Sequence, residues 1–204
     1  MPTDPPTTSP ARPGLLLVIS GPSGVGKTTL TRRIRDAIPG AVFSVSATTR
    51  PQTGSETDGV DYYFLSAEEF QRRVKAGDFL EHALYAGFHY GTLSAPVHDA
   101  LSHGRIVMLD IDVQGARQVR AAAPGMLGVF ILPPGEDELL RRLRERRRED
   151  EESIQRRFAQ AKREIAEARA QGLYDALIVN DNLDRATAEL LALIHARRQT
   201  PATA

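Results

Sequence analysis

Gly21-Pro22-Ser23-Gly24-Val25-Gly26-Lys27-Thr28 is a full match to the pattern G-x-x-x-x-G-K-[ST], and what flanks it constrains the fold more than any other feature of the chain. Before it runs Leu15-Leu16-Leu17-Val18-Ile19-Ser20, apolar at alternate and intervening positions alike and too short for a stable helix, which reads as a buried strand. After it, Leu30, Ile34 and Ile38 recur at i, i+4 and i+8 with arginines opposite them. That is an amphipathic helix over Thr29–Ile38, stopped by Pro39-Gly40. Glycine carries no Cβ, so a loop held this way can turn successive N–H groups toward one point. The helix behind it adds the partial positive charge of its N-terminus. An anionic phosphate chain suits that point. Residues 21–28 are therefore the candidate nucleotide-phosphate loop, with Lys27 reaching the β- and γ-phosphates and the Thr28 hydroxyl available to Mg²⁺. A glycine-rich turn that fits by chance is the alternative; the strand before and the helix after argue against it.

The same alternation continues along the chain. Ile106–Asp112, Gly128–Leu132 and Ala176–Val179 read as further buried strands, and Asp137–Arg148, Glu151–Gln171 and Leu183–Arg197 as helices. Strands alternating with helices predict an α/β fold, a parallel sheet with helices on both faces. Residues 43–92 break the rhythm. Val42–Ser46 and Tyr62–Leu65 read as short strands, and Ser66-Ala67-Glu68-Glu69 is a capping box that opens a helix ending near Gly77. This stretch is expected to be an insertion into the main sheet. Residues 1–14 hold Pro2, Pro5, Pro6, Pro10 and Pro13 among Thr and Ser, and read as a disordered tail.

Composition narrows the function. Lys plus Arg and Asp plus Glu number 26 each in 204 residues, so the net charge is zero and a globally basic nucleic-acid binder is disfavoured. There is no cysteine, which excludes disulfides, thiolate zinc sites, iron–sulfur clusters and cysteine nucleophiles, and fits a reducing cytoplasm. No apolar run approaches the roughly 20 residues of a membrane span. The expectation is a cytoplasmic protein with no membrane or nucleic-acid partner, its oligomeric state open.

Three groups of charged residues bear on chemistry. Asp110 and Asp112 close the Ile106–Asp112 strand, where ligands of open α/β sheets bind, and period two places them on one face. Asp110 is the candidate Mg²⁺ ligand; a helix cap or turn is the alternative for either acid. Residues 141–148 carry six arginines and are followed by Glu149-Asp150-Glu151-Glu152. A solvated helix face explains such a run without function, and a nucleic-acid patch is weaker because no aromatics interleave. Beside a phosphate loop a third reading arises: Arg142 and Arg146, at i and i+4, could close over a polyphosphate. The five histidines (82, 89, 98, 103 and 195) form no metal-spaced cluster, and the guanine-reading N-K-x-D segment of a GTPase is missing.

From Leu15 to Leu190 the chain resembles the guanylate kinases, nucleoside monophosphate kinases of the P-loop class. The resemblance rests on an ordered set of segments. These are the phosphate loop, Ser44-Val45-Ser46-Ala47-Thr48-Thr49-Arg50, Gly59-Val60-Asp61-Tyr62, Phe79-Leu80-Glu81, Tyr90-Gly91-Thr92, Leu109-Asp110-Ile111-Asp112-Val113-Gln114-Gly115 and Val179-Asn180-Asp181. It implies transfer of the ATP γ-phosphoryl to GMP. It also implies a nucleotide core (15–42, 93–136 and 161–199), a mixed α/β GMP-binding insertion (43–92) and a helical lid (137–160). By the same resemblance Arg50, Tyr62 and Tyr90 would hold the GMP phosphate. Ser46, Glu81 and Thr92, with Asp112, would read the base, and Asn180 would contact ATP. Arg142, Arg146 and Arg157 would come from the lid and, with Lys27 and Arg50, form the catalytic set.

The residue types suit those roles. Guanine presents adjacent N1–H and N2–H₂ donors, and one ionised carboxylate, Glu81, can accept both. Taken alone, Tyr62 and Tyr90 could equally be core aromatics and Arg50 a surface charge. The acceptor phosphate is mostly dianionic near pH 7, its second pKa being ≈ 6, so the expected mechanism needs cations and alignment rather than a general base. One position departs from the family pattern, in which a second arginine follows the first by three residues. Here Thr53 stands in Arg50-Pro51-Gln52-Thr53-Gly54-Ser55-Glu56. A hydroxyl cannot give a bidentate, charged contact to phosphate, which predicts weaker GMP binding unless another cation substitutes. Two other readings stay open: a non-catalytic scaffold on the same fold, and a kinase for another small phosphorylated acceptor.

Overall fold

The computed structural model describes residues 13–85, 87–145, 150–170 and 172–199. The proline-rich segment up to residue 12 and Arg146 lie outside the described residues.

The chain runs β1 (Leu15–Ser20), α1 (Lys27–Ala37), β2 (Val42–Phe43), β3 (Ser46–Thr48), β4 (Tyr63–Phe64), α2 (Ala67–Ala76), β5 (Phe79–Tyr85), β6 (Phe88–Leu93), α3 (Ser94–Ser102), β7 (Ile106–Asp110), α4 (Val113–Ala122), β8 (Leu127–Leu132), α5 (Glu136–Glu145), α6 (Glu151–Ala170), β9 (Ala176–Val179) and α7 (Leu183–Gln199). The larger sheet has the order β2-β7-β1-β8-β9 and is parallel throughout.

β1 is its central strand, and all six of its residues are buried. Period two divides them between two cores. Leu15, Leu17 and Ile19 pack with Leu30 and Ile34 of α1 and with Leu190 and Ile194 of α7. Leu16 and Val18 pack on the other face with Val97 of α3 and Val113, Ala116 and Val119 of α4. A strand apolar at every position is what a sheet covered on both faces requires.

The second sheet, order β4-β3-β6-β5, is mixed: β3 pairs parallel with β4 and antiparallel with β6, and β5 pairs antiparallel with β6. Its core is small. Ala47, Phe70 and Leu93 are buried together, and the Phe70 ring of α2 stacks on Phe79 at 4.5 Å. Ser66 caps α2, its side chain accepting from Glu69 N at 3.1 Å, and Gly77 ends the helix in a left-handed conformation (φ 75). Between the two sheets, the Gln118 side chain of α4 accepts from His82 N and donates to His82 O, both at 3.1 Å, clamping β5 to α4. A fourth apolar cluster, Leu139, Leu143, Ile154 and Ala161, joins α5 to α6. Among the described residues no helix is long and apolar enough to cross a membrane.

Two expectations are corrected. The segment Val42–Ser46 is not one strand: Val42 and Phe43 pair with β7 in the large sheet, whereas Ser46 begins β3 in the small one. The chain changes sheets at Ser44, whose N–H still reaches Met108 O at 3.1 Å. The acid strand also ends earlier than expected. β7 stops at Asp110, and Asp112 is the N-cap of α4, its carboxylate accepting from Gly115 N at 2.8 Å. Satisfying an otherwise orphaned helix N–H outweighs extending the strand, so the two acids do not share a strand face.

Candidate active site

The phosphate loop is shaped by its glycines. Gly24 (φ 87) and Gly26 (φ 97) lie in the left-handed region. α1 begins at Lys27, immediately behind them. The Lys27 ammonium folds back over the loop, donating to Gly21 O at 2.5 Å and Pro22 O at 3.4 Å. Underneath, the buried Asn180 donates its amide N–H to Val25 O at 2.8 Å. A Cβ at Gly26 would sit 2.6 Å from that amide nitrogen, so only glycine admits this brace. The side-chain nitrogen of Asn180 is thus committed to the loop itself.

Two arginines from different helices reach the same loop. Arg142 of α5 is oriented by Glu138, whose Oε1 accepts from its Nε at 2.7 Å, and donates to Val25 O (3.4 Å) and Asn180 O (3.2 Å). Arg157 of α6 bonds the Ser23 hydroxyl. The Glu138 carboxyl is held down at a pKa of about 2 by hydrogen bonds from Arg141 and Arg142. It therefore keeps its charge, and its grip on Arg142, at any physiological pH.

Asp110 stands at the carboxyl end of β7. Its side chain reaches solvent, yet the surrounding walls hold back hydration and push its pKa up, while the Lys27 charge pulls it down. Among the described residues no three acidic or histidine side chains are grouped to hold a metal.

Across the cleft a cavity of about 340 Å³ is lined by Ser46, Tyr62, Glu81, Tyr85, Tyr90, Asp110 and Asp112, with Ala83, Gly91 and Ile111. The small sheet sets its floor. Ser46 pairs with Thr92, and Thr92 with Glu81, so three adjacent strands place these residues in one cross-strand row. Glu81 is 7% exposed, and Thr92 donates its hydroxyl to Glu81 Oε1 at 2.7 Å. The other oxygen faces Gly115 in the first turn of α4, where a Cβ would come within 3.0 Å. Burial pushes the Glu81 pKa up, the Thr92 hydrogen bond opposes this, and the nearby Asp112 charge adds to it.

At the far end of the cavity Arg50 lies over the rings of Tyr62 (5.3 Å) and Phe64 (5.8 Å). Tyr62 in turn meets Tyr90 edge-on at 6.1 Å. Glu56 accepts from both terminal nitrogens of Arg50, at 3.0 Å and 2.6 Å.

The site thus has cationic side chains at both ends and a buried carboxylate between them. The family model described as guanylate kinase matches residues 14–197. A guanylate kinase of Anaeromyxobacter dehalogenans is 51% identical over 187 residues, covering 91% of this chain and 82% of its own length. One from Thermosynechococcus vestitus is 50% identical over 179 residues, covering 88% and 92%. The crystal structure of guanylate kinase from Anaplasma phagocytophilum has a TM-score of 0.70 at 31% identity, covering 93% of this chain and 89% of that one. The chain belongs to the guanylate kinase family.

The structure gathers Ser46, Tyr62, Glu81, Tyr90, Asp110 and Asp112 around one cavity, with Thr92 behind Glu81 and Arg50 beside Tyr62. Lys27, Arg142, Arg157 and Asn180 collect instead at the phosphate loop. Two residues of interest were not singled out from sequence. Glu56 holds Arg50, and nothing in its spacing marks the pairing. Tyr85 lines the cavity described above and also a second one of about 240 Å³, bounded by Ser23, Arg157, Gln160 and Glu164. Alternation along β5 was a usable signal for it: Glu81, Ala83 and Tyr85 lie two apart and share a face.

Proposed function

We propose that this chain transfers the γ-phosphoryl of ATP to GMP, giving ADP and GDP. The observation that carries the reading is a nearly buried carboxylate, Glu81, backed by Thr92, across a cleft from a lysine-closed phosphate loop. Glu81 would accept guanine N1–H and N2–H₂ together; an adenine monophosphate would leave it unpaired, a costly state for a buried carboxylate. Arg50, Tyr62 and Tyr90 would hold the acceptor phosphate, with Ser46, Thr92 and Asp112 around the base.

Residues 21–28 would cradle the donor phosphates. Lys27 would turn from Gly21 O to the β- and γ-oxygens, and Arg142 and Arg157 would meet the same phosphates from the lid side. Asn180 would serve ATP by bracing the loop. The acceptor dianion needs no proton removed near pH 7, so these groups bring two anions together and align attacking and leaving oxygens. Thr28 and Asp110 are hard oxygen donors near Lys27. They are too few to cage an ion alone, which suits Mg²⁺ that arrives with the nucleotide. Bound there, Mg²⁺ would neutralise charge developing on the transferred phosphoryl. Residues 43–92 would form the acceptor-binding unit, 137–160 the lid and the rest the nucleotide core.

The test is an acceptor screen with GMP, dGMP, AMP, UMP and sugar phosphates, run with the natural chain and Glu81→Gln. GMP should be preferred over AMP, and the variant should narrow that ratio. An unchanged ratio would move base recognition away from Glu81, and a better acceptor than GMP would overturn the reading.

A further inference from the structure

We propose that Thr53, the residue standing in place of a phosphate-binding arginine, is a positioning residue: acting through Glu56, it fixes the guanidinium of Arg50 in the acceptor cleft. The inference rests on the assignment of Arg50 to the acceptor phosphate.

Thr53 directs two donors at one oxygen. Its backbone N–H reaches Glu56 Oε2 at 2.9 Å and its hydroxyl reaches the same atom at 2.8 Å. That oxygen also accepts from Arg50 Nη1 at 3.0 Å, while Oε1 accepts from Arg50 Nη2 at 2.6 Å. The carboxylate is thereby filled on both sides and cannot swing. The turn that carries it is closed as well: Glu56 N donates to Thr53 O at 3.0 Å, and the Gln52 side chain donates to Glu56 O at 2.6 Å.

The consequence passes to Arg50. One edge of its guanidinium is gripped by a carboxylate with a single available orientation. Its face lies over Tyr62 and Phe64, and it interacts with the side chain of Tyr90, which lines the cleft. A planar fork delivers strong contacts only when it is correctly oriented. Thr53 therefore contributes no charge to the acceptor phosphate; it removes freedom from the cation that does. An arginine at position 53 would bring a second guanidinium to the same carboxylate and compete with Arg50 for it.

Steady-state kinetics of the full chain with ATP and GMP separate the possibilities, using Thr53→Val, Thr53→Ser and Arg50→Lys. Valine keeps the shape and the backbone donor but deletes the hydroxyl. Because the effect reaches GMP only through Arg50, it should be on the scale of an ordinary net hydrogen bond and raise KM for GMP roughly threefold to tenfold. KM for ATP should stay at its natural value, and Thr53→Ser should restore KM for GMP. If Arg50→Lys raises KM for GMP while Thr53→Val does not, the positioning role is wrong. The role is equally wrong if Thr53→Val raises the two KM values alike, or if serine fails to rescue. If Arg50→Lys leaves KM for GMP unchanged, the assignment of Arg50 itself falls.

Discussion

Glu81 and Glu56 are carboxylates of one cleft whose surroundings push them in opposite directions. Burial raises the Glu81 pKa, whereas Arg50, helped by both donors of Thr53, holds Glu56 at about 2. The signs differ accordingly. A carboxyl raised on folding holds its proton more tightly in the native state, so Glu81 costs stability once pH climbs through its native pKa. Glu56 contributes stability above its unfolded value near 4.5, lost only as pH falls toward 2. Glu81→Gln should therefore raise the melting temperature at neutral pH, with the gain vanishing in acid. The same variant should weaken GMP binding at neutral pH and erase the loss of affinity that protonation of Glu81 causes in mild acid. The phosphate's own titration near pH 6 remains in both proteins as the internal reference. Calorimetric melting and GMP titration across pH check both halves. A variant that melts no higher at neutral pH would mean that Thr92 and the first turn of α4 already offset the burial of the charge.

At the scale of elements, α4 links the two sheets. Its first turn sits beside Glu81 Oε2, its cap is Asp112, and Gln118 clamps β5. Removing the cap by Asp112→Ala should cost about 1 kcal/mol. That corresponds to a fall in melting temperature of roughly 2–4 °C for a domain of this size. Asp112→Asn keeps an acceptor for Gly115 N and should melt like the natural protein. If the asparagine variant still binds GMP poorly, Asp112 reads the base through its charge and not only through the helix it starts. Strands β1, β7 and β8 were legible in the sequence because burial on both faces leaves an unbroken apolar run; β9 is equally apolar but, contrary to the expectation of a buried strand, lies at the sheet edge with Leu177 and Val179 exposed and only Ile178 fully buried. Helices α3 and α4 were not legible. Pro96 lies in the first turn of one and Gly115 in the first turn of the other, both poor helix formers. Gly115 is there for close approach to Glu81, a tertiary reason that no local pattern carries. The same holds for the grip of Glu56 on Arg50 and for the division of Val42–Ser46 between two sheets.

For the whole molecule, the order of strands in space departs far from their order along the chain. β1 is flanked by β7 and β8, and Leu15 pairs with Ile106, a separation of 106 − 15 = 91 positions. Everything between β2 and β7, including the complete small sheet, is synthesised before the central strand can gain its first neighbour. Closing so long a loop costs entropy that no strand pairing of β1 repays until β7 docks. On ribosomes, chains arrested with Leu93 just emerged should be cut readily by protease within Leu15–Ser20, and those arrested after Leu132 should be protected there. Equal protection at both arrest points would mean that α1 alone shelters the strand. Translation therefore runs counter to packing: a strand apolar at nearly every position leaves the ribosome well before either of its sheet neighbours exists, which makes it a natural foothold for a chaperone.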